Sequence, residues 1–191
     1  MHLRMKRLSS EWFDKHTTSA ARDLIGCILR AHDKTYIITE TEAYRGKDDP
    51  ASHAHNTITA RNKIMFGDPG HIYVYLVYGM HHCINFTTES RGTPGAVLIR
   101  SIYSVDNKKM INGPGRVTKS LGATQDMNGH KLDKSQLALY EGLSLNILNS
   151  ERIGISKGLD LKWRFYTNDL STEPVQKAVD KVVEKLNQGT I

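Results

Sequence analysis

The chain has 191 residues, enough for one domain with a sizeable hydrophobic core, and we treat residues 1–191 as a single domain. With 39% hydrophobic and 24% charged residues, its composition is that of a globular protein without an acidic tail or internal repeats. The formal net charge of +6 favours phosphate-bearing partners such as nucleic acid, but it does not specify a reaction.

The sequence contains no feature that directs a protein into or across a membrane. Charged residues occur throughout the first twenty positions, and no segment reaches the ~20 apolar residues that a bilayer span requires. Cys27 and Cys83 lie in apolar segments without the spacing of a disulfide framework. We therefore expect an intracellular protein, in the cytoplasm or nucleoid of a bacterium or in the nucleus of a eukaryote.

The N-terminal third is predicted to contain two helical stretches and two strands. In chain order these are a helix through Trp12 and Phe13 capped by Ser9 or Ser10, a helix over Thr18–Leu24, and strands at Ile25–Arg30 and Thr35–Tyr44. Residues 32–34 form the turn between the strands. Residues 45–70 are polar and rich in glycine, so we expect a long loop, and such loops are often functional.

Residues 71–88 show clear strand periodicity. Two sets of side chains alternate there, namely Ile72, Val74 and Leu76, and between them Tyr73, Tyr75 and Val77. Gly79 and Met80 permit a tight turn, and His82–Thr88 then returns as a second strand. The segment therefore predicts a β-hairpin.

Strands dominate the middle of the chain, and helices lie towards its ends. The remaining predicted elements are a strand at Ala96–Tyr103, a turn at 113–115, a short helix over Arg116–Leu121, strands at Leu143–Leu148 and Arg152–Ile155, and an amphipathic helix over Pro174–Leu186. This order favours an α+β fold over a repeated βαβ fold.

An acidic segment ends the second predicted strand. Glu40, Glu42 and Tyr44 follow period-two spacing, so their side chains share one face, where the two carboxylates repel each other unless water or a cation separates them. A carboxylate at a strand end beside aromatic residues suits a general base. The alternative is a solvated edge strand.

Several histidines offer a second kind of chemistry. His53 and His55 lie in the long loop and His81 at the hairpin, and together with Glu42 they suggest a metal-dependent hydrolase, since zinc favours imidazole and carboxylate ligands. No HExxH or CxxC motif accompanies them, so we expect no metal and no cofactor. A loop histidine is more often a surface residue or a hydrogen-bonding and stacking group.

Tyr78 differs from the two tyrosines that precede it. Tyr73 and Tyr75 fit ordinary cross-strand packing, whereas Tyr78 falls at the hairpin tip. A large side chain that protrudes from a basic protein suits insertion between bases.

Four basic residues are candidates for phosphate contacts. Arg61 and Lys63 precede the hairpin, and Arg116 and Lys119 follow the glycine-rich turn at 113–115. Backbone amides in such a turn, next to a helix start, also suit phosphates. Taken singly, each basic residue is equally well explained as part of a solvated surface.

Four motifs occur in a fixed order: ETEAY at 40–44, YVYLVYGM at 73–80, Asn85, and a strand containing Leu98–Arg100. In this combination the chain resembles the alkyladenine, or 3-methyladenine, DNA glycosylase family. The similarity extends from Ala21–Gly26 to Arg164–Tyr166 and covers most of the sequence.

The resemblance implies a role for each matching residue. Glu42 becomes the general base that deprotonates the attacking water, which Arg100 and the backbone carbonyl of Ile153 hold. The residues that match the lining of the base pocket are Tyr44, His53, Tyr75 and Asn85. The asparagine matches the side chain that clashes with the exocyclic amino group of normal guanine.

The resemblance also implies how the protein meets DNA. The fold would be a mostly antiparallel, curved central sheet with flanking helices and a protruding hairpin that enters the minor groove. Tyr78 matches the intercalating residue, with Met80 and His81 beside it. The expected partner is double-stranded DNA containing damaged purines, bound by a monomer.

The expected activity is the hydrolysis that removes 3-methyladenine, 7-methylguanine or hypoxanthine from DNA and leaves an abasic site. Water suffices as the nucleophile, so we expect no lyase step. Two alternatives stay open at this point: a non-catalytic nucleic-acid-binding module, which needs neither Glu42 nor Arg100, and the metal-dependent hydrolase.

Overall fold

Within residues 6–77 and 79–187, which the structure describes, ten β-strands pair into one antiparallel sheet accompanied by three α-helices. The structure is a computed structural model. The arrangement confirms the predicted α+β class and its mostly antiparallel sheet.

The first elements lead into the longest strand. They are β1 (Arg7–Leu8), α1 (Thr17–Asp23), β2 (Ile28–Ala31) and β3 (Lys34–Tyr44). The predicted helical stretch at Trp12 is a 3₁₀ helix over Ser10–Phe13, and Ser9 at its N-cap makes no side-chain capping bond. β2 begins three residues later than predicted because residues 24–26 form the turn after α1.

The middle of the chain follows the prediction closely, apart from a strand at Lys109–Asn112 that was not predicted. Its elements are β4 (Ile72–Val77), β5 (His81–Thr87), β6 (Ala96–Ser104), β7 (Lys109–Asn112) and α2 (Pro114–Ser120). β4 and β5 form the predicted hairpin, in which Gly79 adopts a φ of 68° that glycine tolerates easily. The loop over 45–70 is also confirmed, and it contains one 3₁₀ helix at Lys63–Phe66.

Two strands predicted in the C-terminal part are wrong. The elements there are β8 (Leu137–Tyr140), β9 (Leu148–Ser150), β10 (Arg164–Tyr166) and α3 (Glu173–Asn187). Residues 143–147 pair with no strand, because Leu143 and Leu145 pack against a separate apolar cluster around Ile37. The segment predicted at Arg152–Ile155 is a turn, in which Gly154 adopts a left-handed φ of 77°.

The strand order places β3 and β6 at the centre of the sheet. Seven strands follow the order β1-β8-β2-β3-β6-β5-β4, with β7 beside β6 and β9 beside β10. β6 pairs along most of β3, whereas β2 covers only the beginning of the opposite edge of β3. β10 pairs with the same strand at Glu40–Glu42. The end of β3 is therefore enclosed by β6 and β10.

The alternation predicted for β4 separates the core from a cavity. Ile72 and Val74 join the main apolar core, against which α1 and α2 pack, while Tyr73 and Tyr75 line a cavity. α3 contributes Val179 to a second cluster, which contains Ile37. Among the described residues, no helix combines the length and the apolar character needed to cross a membrane.

Candidate active site

Two irregularities in the pairing of β3 with β6 decide where the acidic residues point. The register skips Thr39 on β3 and then Arg100 on β6. Because side chains alternate along a strand, an extra residue turns the following side chains to the opposite face. The Ile38 side chain packs in the main core. Without the β-bulge at Thr39, the side chains of Glu40 and Glu42 would point to the same face of the sheet as Ile38. The bulges instead place Glu42 and Arg100 on the side where the cavity opens.

The Glu42 carboxylate is fully buried and held by three groups. The Ile153 N–H donates to Oε1 at 2.7 Å, and the Tyr44 hydroxyl donates to Oε2 at 2.8 Å. The Arg100 Nε lies 3.6 Å from Oε1. Burial raises the pKa of Glu42, while Arg100, the Ile153 N–H and Tyr44 oppose the rise. The carboxylate is therefore a stronger base than an ordinary glutamate.

Glu40 is neutralised by cations and does not simply repel Glu42. The Arg100 Nε lies 3.3 Å from Glu40 Oε1, to which Arg164 also donates, and the Ser101 hydroxyl donates to Oε2 at 2.8 Å. The cation that the two acidic residues require is thus Arg100. The edge-strand alternative is wrong, because β3 has neighbours on both sides at this point.

A cavity of about 540 Å³ opens beside Glu42. Its described lining includes all seven residues predicted for catalysis and the base pocket, which are Glu42, Tyr44, His53, Tyr75, Asn85, Arg100 and Ile153. The structure brings these residues together although they come from four strands and two loops. Their individual roles remain predictions.

Aromatic rings form one wall of the cavity. The His53 and Tyr75 rings meet edge to face with centroids 4.9 Å apart, and the Tyr73 and Tyr75 centroids lie 5.1 Å apart. Burial raises the pKa of the Tyr44 and Tyr75 phenols, so both stay protonated at neutral pH. Burial, and then Arg61, lowers the pKa of His53, which favours a neutral imidazole. The wall therefore offers neutral, electron-rich rings.

The Asn85 side chain is fixed by backbone carbonyls. It is buried, and its Nδ2 donates to the Tyr73 carbonyl at 3.0 Å and to the Cys83 carbonyl at 3.3 Å. These bonds set the plane of the amide at the cavity wall. Burial raises the pKa of the neighbouring Cys83 thiol to about 11, so it is neutral as well.

The sequence did not single out the ion pair that holds the turn at 152–154. The buried Arg152 guanidinium donates to both oxygens of the buried Asp49 carboxylate at 2.7 Å. Neither residue belongs to a periodic pattern, and the two lie 103 positions apart. The only available signal was an arginine beside Ile153 and an aspartate in the long loop.

Of the described residues predicted to contact DNA, Arg61 lines the cavity and the others lie outside it. Met80 is 72% exposed in the hairpin turn, and His81 lies beside Gly115 at the start of α2. Lys63, Arg116 and Lys119 are exposed. Arg61 is exposed too, although its guanidinium stacks 4.9 Å from the Tyr75 ring and donates to the Leu76 carbonyl. Tyr78 lies outside the described residues.

The metal-site alternative is not supported by the arrangement of its ligands. His53 lines the cavity with Glu42, but His55 lines a different cavity and His81 lies against α2. Within the described part of the chain, no three His, Cys, Asp or Glu residues lie in a group that could hold a metal ion.

The arrangement is suited to activating a water molecule. Glu42 combines a raised pKa, fixed hydrogen-bond donors and access to a cavity, which are the properties of a general base. The rings opposite it suit a flat and preferably cationic ligand. The site thus has the parts needed to hydrolyse a bond to a planar group.

Comparison with known proteins identifies the family. The sequence model of the methylpurine-DNA glycosylase (MPG) family matches residues 11–171. A Rickettsia felis protein named "Putative 3-methyladenine DNA glycosylase" is 42% identical over 170 residues, covering 87% of this chain and 96% of its own. Proteins of the same name from Ehrlichia chaffeensis and Ehrlichia ruminantium are 41% and 39% identical, each covering 86% of this chain and 94% and 91% of their own.

These relatives are bacterial and match the chain over nearly its whole length. The resemblance inferred from the ETEAY and YVYLVYGM motifs is confirmed, and the non-catalytic alternative is wrong. The chain belongs to the methylpurine-DNA glycosylase family, whose members are DNA-repair enzymes that act on DNA.

Proposed function

We propose that the protein hydrolyses the N-glycosidic bond of alkylated or deaminated purines in double-stranded DNA and leaves an abasic site. The substrates are of the 3-methyladenine, 7-methylguanine and hypoxanthine class. The observation that carries this proposal is the buried Glu42 carboxylate at the wall of an aromatic cavity. The protein acts as one catalytic domain and as a monomer on the bacterial nucleoid.

The cavity receives one base that has been flipped out of the helix. An enzyme cannot reach the glycosidic bond of a stacked base, so flipping precedes the chemistry at a cost of a few kcal/mol. The volume of about 540 Å³ is sufficient for a purine. A purine alkylated at N3 or N7 is cationic, and each favourable contact with an aromatic ring contributes roughly 0.5–2 kcal/mol. The fixed Asn85 amide excludes the exocyclic amino group of guanine.

Glu42 takes a proton from a water molecule that attacks the anomeric carbon of the sugar. A bond forms between that carbon and the water oxygen, the bond to the base nitrogen breaks, and the base leaves with the bonding electrons. Arg100 and the Ile153 carbonyl hold the water. A cationic alkylated base leaves as a neutral molecule, whereas hypoxanthine needs a proton donor.

The chemistry needs no amine nucleophile, and none of the described residues that line the cavity is a lysine. Without a Schiff base to the sugar, the protein lacks the covalent intermediate through which a lyase accelerates β-elimination. We therefore propose that the reaction stops at the abasic site.

The hairpin supplies the wedge that keeps the base out of the helix. Tyr78 enters the gap from the minor groove and restores part of the lost stacking, with Met80 and His81 beside it. The exposed position of Met80 and the left-handed φ of Gly79 support a turn that presents its side chains outwards.

A base-release assay tests the proposal. Duplex DNA carrying 3-methyladenine, 7-methylguanine or hypoxanthine is incubated with protein in chelator, and free base and strand breaks are measured separately. We expect released base and intact strands. Glu42→Gln should slow release at least ~100-fold while damaged DNA still binds, because general-base catalysis contributes roughly 10²–10⁴-fold. Glu151→Gln, which changes an exposed glutamate in the neighbouring loop, is the control.

Four results would contradict parts of the proposal. Failure of the wild-type protein to release any lesion base removes the proposed activity. Full activity of Glu42→Gln shows that another group is the base. A sugar adduct trapped by borohydride establishes a lyase step, and loss of activity in chelator restores the metal-dependent alternative.

A further inference from the structure

The turn at residues 152–154 is held by a buried ion pair to which the proposed mechanism assigns no role. The Arg152 and Asp49 side chains have no exposed surface, and two parallel hydrogen bonds of 2.7 Å join them. Such bidentate pairs fix direction as well as distance. Because Asp49 lies in the loop after β3 and Arg152 in the loop after β9, the pair fastens these two loops together.

Asp49 is itself fixed within its loop. Its carboxylate accepts the backbone N–H of Arg45 at 2.9 Å and that of Ala51 at 3.1 Å. Four donors therefore reach the two carboxylate oxygens. The anion is a rigid anchor for the arginine.

Arg152 also supplies a hydrogen-bond donor to the backbone of β3 just beyond its pairing with β10. β10 pairs with β3 as far as Glu42, and the Ala43 N–H then donates to the Trp163 carbonyl. The Ala43 carbonyl accepts instead from Arg152 Nη1 at 2.9 Å, and the guanidinium lies 4.7 Å from the Tyr44 ring. The arginine is thereby docked against the two residues that follow Glu42.

Ile153, the next residue along the chain, makes the contact with the Glu42 carboxylate. With Arg152 docked, the Ile153 N–H points at Glu42 Oε1 at 2.7 Å, although the Ile153 side chain itself is 46% exposed. Gly154 then reverses the chain with its left-handed φ. An exposed turn without a strand partner would not hold an amide in one direction by itself.

We propose that Arg152, anchored by Asp49, is a positioning residue that holds the Ile153 N–H on the Glu42 carboxylate. This role rests on the proposed function of Glu42 as the base. A buried ion pair is weak evidence for stability, because desolvation offsets much of the attraction, and apolar substitutes often fold as well. The pair therefore acts by orienting the turn.

The proposal has a signature that a merely structural role lacks. The Ile153 N–H favours the ionised carboxylate, so its removal raises the pKa of Glu42 further. The substitutions that test this leave in place the other titratable groups that face Glu42, which are Glu40 and Tyr44 on β3, Arg100 on β6, Tyr75 on β4 and Cys83 on β5.

Nuclear magnetic resonance measures this signature without a substrate. The variants are Arg152→Lys, which keeps a cation beside Asp49, and the double variant Asp49→Leu/Arg152→Met, which removes both charges. In each, the titration midpoint of the ¹³C-labelled Glu42 carboxyl should rise by about one pH unit, the effect expected of one hydrogen bond to a charged group. Asp68→Leu/Arg91→Met removes an exposed bidentate pair and should leave the midpoint unchanged.

The wild-type protein provides a test that needs no variant. The Ile153 amide proton should titrate together with Glu42, because the carboxylate accepts its hydrogen bond. A flat Ile153 titration, or an unchanged Glu42 midpoint in folded Arg152→Lys, overturns the positioning role. In the pH profile of the single-turnover rate, the pKa on the acidic side should rise by the same amount. The affinity for DNA should change little. Inactivity on every lesion overturns the proposed function but leaves the magnetic resonance result standing.

Discussion

Glu42 has a carboxylate at a position where burial opposes its ionisation. Three groups support the charge, namely the Ile153 N–H, the Tyr44 hydroxyl and Arg100, yet the pKa stays above the ordinary glutamate value. A carboxylate that is ionised but poorly solvated is reactive towards a water proton. It also makes the folded state less favourable than a neutral side chain of the same shape would.

The pH dependence of stability follows from the sign of this shift. Because the folded-state pKa of Glu42 lies above the unfolded value, the wild-type protein loses stability as pH rises from the ordinary glutamate pKa through the raised one. Glu42→Gln cannot ionise, so we expect it to be more stable than wild type at neutral pH. The difference should vanish below the ordinary glutamate pKa. Urea unfolding of both proteins across this pH range measures it, and a constant difference contradicts the assignment.

The hairpin of β4 and β5 depends on side chains from outside the sheet. The Thr118 hydroxyl on α2 accepts the buried Ile84 N–H at 3.1 Å and donates to the Pro114 carbonyl at 2.8 Å. On the other strand, Asn128 accepts the Val74 N–H at 2.9 Å. These bonds tie both strands of the hairpin, at the paired residues Val74 and Ile84, to groups outside the sheet.

Replacing the threonine that joins α2 to β5 tests this dependence. Thr118→Val keeps the shape but leaves a buried N–H without an acceptor, so the free energy of unfolding should fall by roughly 1–3 kcal/mol. The matched control is Thr124→Val at an exposed position, where we expect a change of less than about 0.5 kcal/mol. Chemical denaturation gives both values. Equal effects would show that the Ile84 bond is not important.

At the scale of the whole molecule, four exposed basic residues lie at the cavity or on helices that contribute to its lining. Pro114, the first residue of α2, lines the cavity, and the same helix exposes Arg116 and Lys119. Arg61 lies at the cavity wall and Lys63 on the short helix that follows. With a net charge of +6, this distribution favours DNA approaching along α2 and the hairpin.

The salt dependence of DNA binding distinguishes the basic residues of α2 from basic residues elsewhere on the surface. Arg116→Gln/Lys119→Gln should weaken binding to any duplex and flatten the plot of log K against log salt by about 0.9 for each DNA phosphate that is no longer neutralised. Lys177→Gln/Lys181→Gln makes the same change in charge on α3 and should leave the slope unaltered. Fluorescence anisotropy over a salt series measures both slopes. Identical slopes for the two variants would place the DNA elsewhere.

Much of the fold and site was predictable because the signals are local in the chain. Alternation along Ile72–Val77 predicted both faces of β4, and Gly79 marked the turn of the hairpin. The ETEAY motif indicated Glu42 and Tyr44, which share a hydrogen bond in the structure. Side chains two residues apart on a strand point to the same face of the sheet. The sequence alone therefore places Glu42 and Tyr44 side by side.

The sequence by itself determined the family, the α+β class and seven of the residues that line the cavity. The tertiary structure alone decided how the Glu42 carboxylate is held. The bulges at Thr39 and Arg100 depend on how two distant strands pair, and they turn the acidic face out of the core. The Arg152–Asp49 pair joins loops 103 residues apart. No local pattern encodes such contacts, because the partners lie far apart in the sequence. Only the folded chain brings them together in surroundings of low dielectric, where their hydrogen bonds are strong.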